Sequence, residues 1–187
     1  LAYGGSSQGA RHVGSYTLTP SGLSSPNYTL SFVDGTLTIN PSIYTKLGYD
    51  PAKDFAPITL SVKTPLLMVV AESSPYRSVA DVIAAAKREP DKITYSSAGN
   101  GTASHMAGEY FKTSAGISMT HVPFKGAGDA LIGVANGEVT LTFGGQPSAW
   151  PLVRGKRLRA LALTSDTRVP EFPDTPVVAE TLKGYEM

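Results

Sequence analysis

The stretch Ile93-Thr94-Tyr95-Ser96-Ser97-Ala98-Gly99-Asn100-Gly101-Thr102-Ala103-Ser104-His105 holds the residues best suited to chemistry in this chain. It reads as a strand that passes through a small glycine loop into a helix. The first N–H groups of a helix have no helical carbonyl to bond, and they lie at the positive end of its dipole. Ser97, Ala98, Gly99, Asn100, Gly101 and Thr102 can therefore grip a carboxylate or phosphate through backbone N–H groups, without a charged side chain. The glycines let a ligand approach, Ser97 and Thr102 add hydroxyl donors, and Asn100 between two glycines suits a left-handed turn position. The same pattern fits a plain strand-to-helix connection with Thr102 as helix cap, so residue types alone leave both readings open.

Two further loops share this form. In Val122-Pro123-Phe124-Lys125-Gly126-Ala127-Gly128, Lys125 can neutralise an acidic ligand and Phe124 can wall it, although a lone lysine at a helix start is more often a solvated one. In Phe143-Gly144-Gly145-Gln146-Pro147-Ser148, the candidates are Phe143, Gly144 and Gln146. Ligands of open α/β sheets collect beyond the carboxyl ends of the strands, and the three loops converge there if their strands are parallel neighbours.

Other chemistries find less support. Gly99-x-Gly101 has Ser104 where a dinucleotide fingerprint has its third glycine, and no Gly-Lys-Ser/Thr phosphate loop occurs. His12, His105 and His121 lie scattered over unlike segments with no metal-ligand spacing, and His105 reads as a structural helix residue. Neither Ser97 nor Ser104 stands in a Gly-x-Ser-x-Gly elbow, which leaves a serine hydrolase without a marked triad. Asp50, Asp54, Asp81, Glu109 and Asp129 sit at helix starts or on polar faces, where solvation explains them. The expectation is a binding module and not an enzyme, with no cofactor and no metal.

The elements that must position these loops begin near Pro41. Strands are expected at Phe55 to Val62 and Pro65 to Ala71, then a helix opened by Ser78-x-x-Asp81 with Val79, Val82, Ile83 and Ala86 on one face, stopped by Glu89-Pro90. Strand Ile93 to Ser96, helix Thr102 to Ser114, strand Ser118 to Val122, helix Gly128 to Ala135 and strand Val139 to Phe143 follow. A short helix from Pro147 ends before Gly155, a strand runs from Leu158 to Thr164, and a last helical turn lies around Val177 to Leu182. This is a βαβ pattern throughout, an α/β class with a mostly parallel sheet flanked by helices. Residues 1–40 differ: Tyr16-Thr17-Leu18-Thr19, Tyr28 to Val33 and Thr36 to Ile39 alternate like short antiparallel strands, with Asp34-Gly35 as a hairpin turn.

The totals agree with a soluble chain of one domain plus a small extra piece: 187 residues, 41% hydrophobic. A formal charge of +1 supplies no broad field for nucleic acid or an anionic membrane, so any anion site is local. No apolar run reaches the roughly 18 residues of a membrane span. The absence of cysteine excludes disulfides and thiolate chemistry. The chain begins at Leu1 with no basic-then-apolar leader, so the expectation is either a removed signal peptide or, the favoured reading, an internal fragment.

Asn40-Pro41-Ser42-Ile43-Tyr44, Leu47-Gly48-Tyr49-Asp50-Pro51, Lys53-Asp54-Phe55-Ala56-Pro57-Ile58, Ser97-Ala98-Gly99-Asn100-Gly101, His105, His121-Val122-Pro123-Phe124-Lys125-Gly126, Gly155-Lys156 and Leu158-Arg159-Ala160-Leu161-Ala162 occur in collinear order. Over residues 40–187 the chain resembles the solute receptors of tripartite tricarboxylate transporters, the Bug family. The resemblance implies part of a two-lobed type II periplasmic binding protein, mainly its second lobe, that captures a small organic carboxylate for membrane transporter components. It implies a periplasmic location without membrane insertion. The first-lobe opening with its own ligand loop is missing, Phe143-Gly144-Gly145-Gln146 lacks the family's usual acidic or amide pair, and Phe124 replaces a more usual tyrosine. Residues 1–40, with Tyr3-Gly4-Gly5, Ser21-Gly22-Leu23, Asn27-Tyr28 and Asp34-Gly35-Thr36, resemble a glycine-rich all-β repeat of filamentous-haemagglutinin-like adhesins. The division expected is thus 1–40 and 41–187, a truncated or fused receptor, with an adhesin-derived surface fragment as the alternative.

Overall fold

A computed structural model of the chain describes residues 2–4, 19–22, 48, 50, 54 and 64–187. The expected strand Phe55 to Val62 and the Asp34-Gly35 hairpin lie outside the described residues. The chain divides into two compact units, Leu1–Val62 and Lys63–Met187. In the first, β1 (Ala2–Gly4) pairs antiparallel with β2 (Thr19–Gly22).

The second unit is built on a five-stranded sheet. Its elements are β3 (Leu66–Ala71), α1 (Val79–Arg88), β4 (Thr94–Ser97), α2 (Ala103–Ala115), β5 (Thr120–Pro123), α3 (Ala127–Ala135), β6 (Leu141–Gly145), α4 (Gln146–Arg154) and β7 (Leu158–Leu163), then a 3₁₀ turn Val178–Glu180. The strand order is β5-β4-β6-β3-β7. Strand β4 pairs parallel with both β5 and β6, while β3 runs antiparallel to both of its neighbours, β6 and β7. The sheet is mostly parallel as expected, but the βαβ pattern does not hold throughout: β3 is reversed. A strand buried from Leu67 to Ala71, with sequence LLMVVA, is apolar on both faces, and such a run carries no information about its direction.

Local signals account for the helices. Ser78 Oγ accepts the Asp81 N–H at 3.1 Å while Asp81 Oδ2 accepts the Ser78 N–H at 2.9 Å, so α1 opens on a reciprocal capping box. Val79, Val82, Ala85 and Ala86 are buried on its inner face, with Ile83 packed beside them. Helix α2 ends at Gly116, whose φ of 59° takes the left-handed cap that glycine favours.

One core cluster lies around Met68, Tyr95, Phe111, Leu141 and Phe143, and a second around Leu67, Val69, Leu131, Val134 and Leu158, one on each side of the sheet. Helix α2 closes onto β4 at Gly108, where a Cβ would stand 2.2 Å from Cε2 of the buried Tyr95 ring. Alanine at this helical position gains up to about 1 kcal/mol in intrinsic propensity, but overpacking a buried ring costs about 1–3 kcal/mol. Gly108→Ala is expected to lower the urea midpoint, and a raised midpoint would show that α2 stands farther from β4 than described.

Candidate ligand-binding site

The carboxyl ends of β4 and β6 and the starts of α2 and α3 enclose a cavity of about 220 Å³. Ala98, Thr102, Ala103 and Ser104 line it from the glycine loop and α2, Ala127 and Ala130 from α3, and Thr142, Phe143, Gly144 and Gly145 from β6. Leu66 completes the wall. Strands β5, β4 and β6 are parallel neighbours, so their carboxyl ends lie at one edge of the sheet, but the cavity takes no residue from β5 or from 124–126. The volume lies below the roughly 300 Å³ at which drug-sized sites begin, which suits a small solute.

Among the described residues no charged side chain lines this cavity. The first helical bond of α2 runs from the Met106 N–H to the Thr102 carbonyl at 3.0 Å. The N–H groups of Ala103, Ser104 and His105 thus precede the ladder and have no partner among the described residues. Helix α3 likewise starts its bonding at Ala130, whose N–H reaches the Gly126 carbonyl at 3.1 Å. Positive helix ends facing a cavity without cations favour an anion small enough to bring its oxygens to backbone N–H groups.

The glycine loop itself is less open than the sequence implied. Ala98 N–H donates to Ser104 Oγ (3.1 Å), Gly99 N–H to Ser97 Oγ (3.1 Å) and Gly101 N–H to His105 Nδ1 (3.0 Å). Most of its donors therefore hold the loop in shape, and the open N–H groups are those of Asn100 and the first turn of α2. Thr102 occupies the cap position without capping the helix: its hydroxyl donates to the Gly99 carbonyl at 2.7 Å. The left-handed positions fall on Gly99 (φ 125°) and Gly101 (φ 77°), not on Asn100, because glycine takes positive φ at less cost.

The other candidates separate. Ser97 is buried behind the loop, its Oγ 2.6 Å from His121 Nε2. Phe124 packs on α3 at Gly133, and with the exposed Lys125 it lines a different, shallow groove beside Asp129 and Glu138. Phe143 is a fully buried core ring that borders the cavity, and Gly144 lies beside it. Gln146 turns its amide to the Pro65 carbonyl at 3.0 Å and does not line the cavity.

Sequence reasoning missed the group behind the loop. His105 and His121, read as scattered, stack with ring centroids 4.1 Å apart, and Tyr95 stacks on His121 at 4.9 Å. The parallel register sets Tyr95 beside His121, and the turn of α2 lowers His105 onto the same face. Glu109 is not a merely solvated carboxylate: it accepts the Tyr95 phenol at 2.5 Å and the Lys112 ammonium at 2.9 Å. Burial works against its charge, but those two donors outweigh it and hold the carboxyl below its ordinary range. The spacing of Gly101 and His105, one helical turn, was the available signal. Among the described residues no group of three or more His, Cys, Asp or Glu is placed to hold a metal ion, and no helix is long and apolar enough to cross a membrane.

Burial, and then the neighbouring His105, push the His121 imidazole below its ordinary pKa of 6.5. The unfolded chain therefore binds more protons than the folded one as the pH falls through about 6.5. Stability is full above that value and declines below it, ahead of the carboxylate range. Thermal melts between about pH 7.5 and 5 should show a falling Tm that flattens in His121→Gln, whereas an equal slope in both proteins would place the titration elsewhere.

The chain is similar to known proteins in sequence and fold. The model of the tripartite tricarboxylate transporter family receptor matches residues 13–187, which takes in most of the segment that resembles an adhesin repeat. A protein encoded in the tcbD–tcbE intergenic region of Pseudomonas sp. strain P51 is 30% identical over 165 residues, covering 87% of this chain and 49% of that protein. Among solved structures, R. palustris Rpa4515 with adipate is 38% identical with a TM-score of 0.70, over 77% of this chain and 48% of that one. MatC from Rhodopseudomonas palustris with bound malate is 27% identical with a TM-score of 0.72, over 82% and 52%. The chain spans about half the length of these relatives. With a family match over nearly its whole length and the same α/β fold in its solved neighbours, the chain belongs to the tripartite tricarboxylate transporter receptor family.

Proposed function

We propose that this chain captures a small organic carboxylate in the periplasm for the membrane components of a tripartite tricarboxylate transporter, without catalysis. One observation carries the reading: among the described residues the cavity at the start of α2 is lined by no charged side chain, but by Ala103 and Ser104, whose backbone N–H groups have no partner there. A carboxylate supplies the missing acceptors and the missing negative charge together. The names of two solved relatives, one with adipate and one with bound malate, point to the same ligand class. In this reading Ser97, Ala98, Gly99, Asn100, Gly101 and Thr102 shape the grip. Phe143 and Gly144 floor it, Phe124 braces α3, Gln146 fixes the start of α4, and Lys125 steers anions from outside. Residues 41–187 form the receptor part, and residues 1–40 a separate β-rich segment.

Calorimetric titration with adipate, malate and the uncharged adipamide tests this. Saturable binding below about 1 mM is expected for an acid and none for the amide. Absence of saturable heat with every acid, or equal heat with adipamide, would contradict the reading. Gly101→Val forces a branched side chain into φ 77° and should weaken binding at least about 10-fold. Lys125→Ala should cost less and lose its effect in salt. The reverse ranking would mean that side-chain charge holds the anion.

A further inference from the structure

We propose that His105 and His121 form a pH-sensitive latch on the glycine loop: as neutral rings they hold the loop in its carboxylate-gripping shape, and protonation of His105 releases it. The inference rests on the carboxylate reading above and adds a regulation to the same site.

The latch has two holds. His105 Nδ1 accepts the N–H of Gly101 at 3.0 Å, one of the two loop positions with positive φ. His121 Nε2 lies 2.6 Å from Ser97 Oγ, and that oxygen also accepts the Gly99 N–H at 3.1 Å, the other such position. Each positive-φ glycine is thus tied, directly or through one hydroxyl, to one of two imidazoles stacked 4.1 Å apart. An imidazolium carries a proton on both ring nitrogens and accepts nothing, so protonated His105 faces the Gly101 N–H with an N–H of its own. Release of Gly101 would also remove what sets the entry to α2, whose first-turn N–H groups border the cavity.

The groups that face the pair set the sign. Lys112 on α2 and the partner imidazole oppose a proton, and Glu109 on α2 favours one. Glu109 is already engaged by Lys112 and by the Tyr95 phenol on β4, and burial adds to the resistance of His121. With the rings in contact, a charge on His105 opposes a proton on His121. Neither imidazole lines the cavity, and an imidazolium there gives a carboxylate no direct hydrogen bond.

The test uses the full chain with two substitutions at His105. His105→Asn places an amide oxygen near the Nδ1 position, an acceptor that does not titrate. His105→Phe keeps a ring on His121 without an acceptor. Adipate and malate titrations at about pH 8 and about pH 6 should show the wild type losing roughly 10-fold in affinity on acidification. Whatever its affinity at the higher pH, the His105→Asn variant should lose little of it at the lower one. The probe's own protonation is common to both proteins and cancels. His105→Phe should bind at least about 10-fold more weakly at both pH values. Without ligand, the Gly101 amide resonance of the wild type should move with the His105 ring nitrogens on one midpoint. Equal pH losses in wild type and His105→Asn, tighter binding at the lower pH, or a Gly101 amide that ignores the His105 titration would overturn the latch. Absence of saturable binding at about pH 8 would instead defeat the carboxylate reading, with the ligand-free resonances still deciding the latch.

Discussion

Helix α2 begins where strand β4 has just ended, and the N–H groups of its first turn meet neither a capping side chain nor a carbonyl. Nearly every other feature of the site serves this arrangement. Thr102 stands at the cap position but spends its hydroxyl on the Gly99 carbonyl, so the helix end stays open. Ala103 is exposed and Ser104 and His105 are half-buried, so their N–H groups are left to water or to an acceptor from outside the chain. Among the described residues the wall carries no cationic side chain, so its polar character there comes from the backbone and hydroxyl groups.

Such a grip is only as good as the loop that frames it. Gly99 and Gly101 are held in positive φ by Ser97 and His105, and the Ala98 N–H is held by Ser104, with His121 and Tyr95 stacked behind. The loop is fastened from below to the sheet. Ser96 Oγ reaches the Ala130 carbonyl at 3.0 Å, and Thr142 Oγ1 reaches the Ser96 carbonyl at 2.8 Å, both in the dry interior. These bonds tie β4 to α3 and β6, the other two contributors to the cavity. Satisfied buried polar groups of this kind fix a geometry that apolar packing alone leaves loose.

Much of this was legible in the sequence. The Ser78-x-x-Asp81 box, the stop at Glu89-Pro90 and the strand-to-helix passage through Ser97–Thr102 are local signals, and the helices followed them closely. Parallel pairing of β4, β5 and β6 was expected from alternation, and with it strand ends at one edge of the sheet. The reversal of β3 was not legible, because a strand buried on both faces reads alike in either direction. Nor was the division of labour within the loop. A backbone N–H that binds ligand and one that binds its own chain have the same sequence, and only the fold shows that Ala98, Gly99 and Gly101 are engaged. Lys125 drew notice by its charge but lies in another groove, while two histidines 16 positions apart met through a strand register that no short motif records.

The central claim is that open N–H groups at the start of α2 bind the carboxylate, and amide resonances report on them directly. Adding malate to the ¹⁵N-labelled chain should move the signals of Asn100, Ala103, Ser104 and His105 most, with a common saturation curve. Largest shifts at Lys125, Asp129 and Glu138, or no saturable shift at the first turn of α2, would contradict the account.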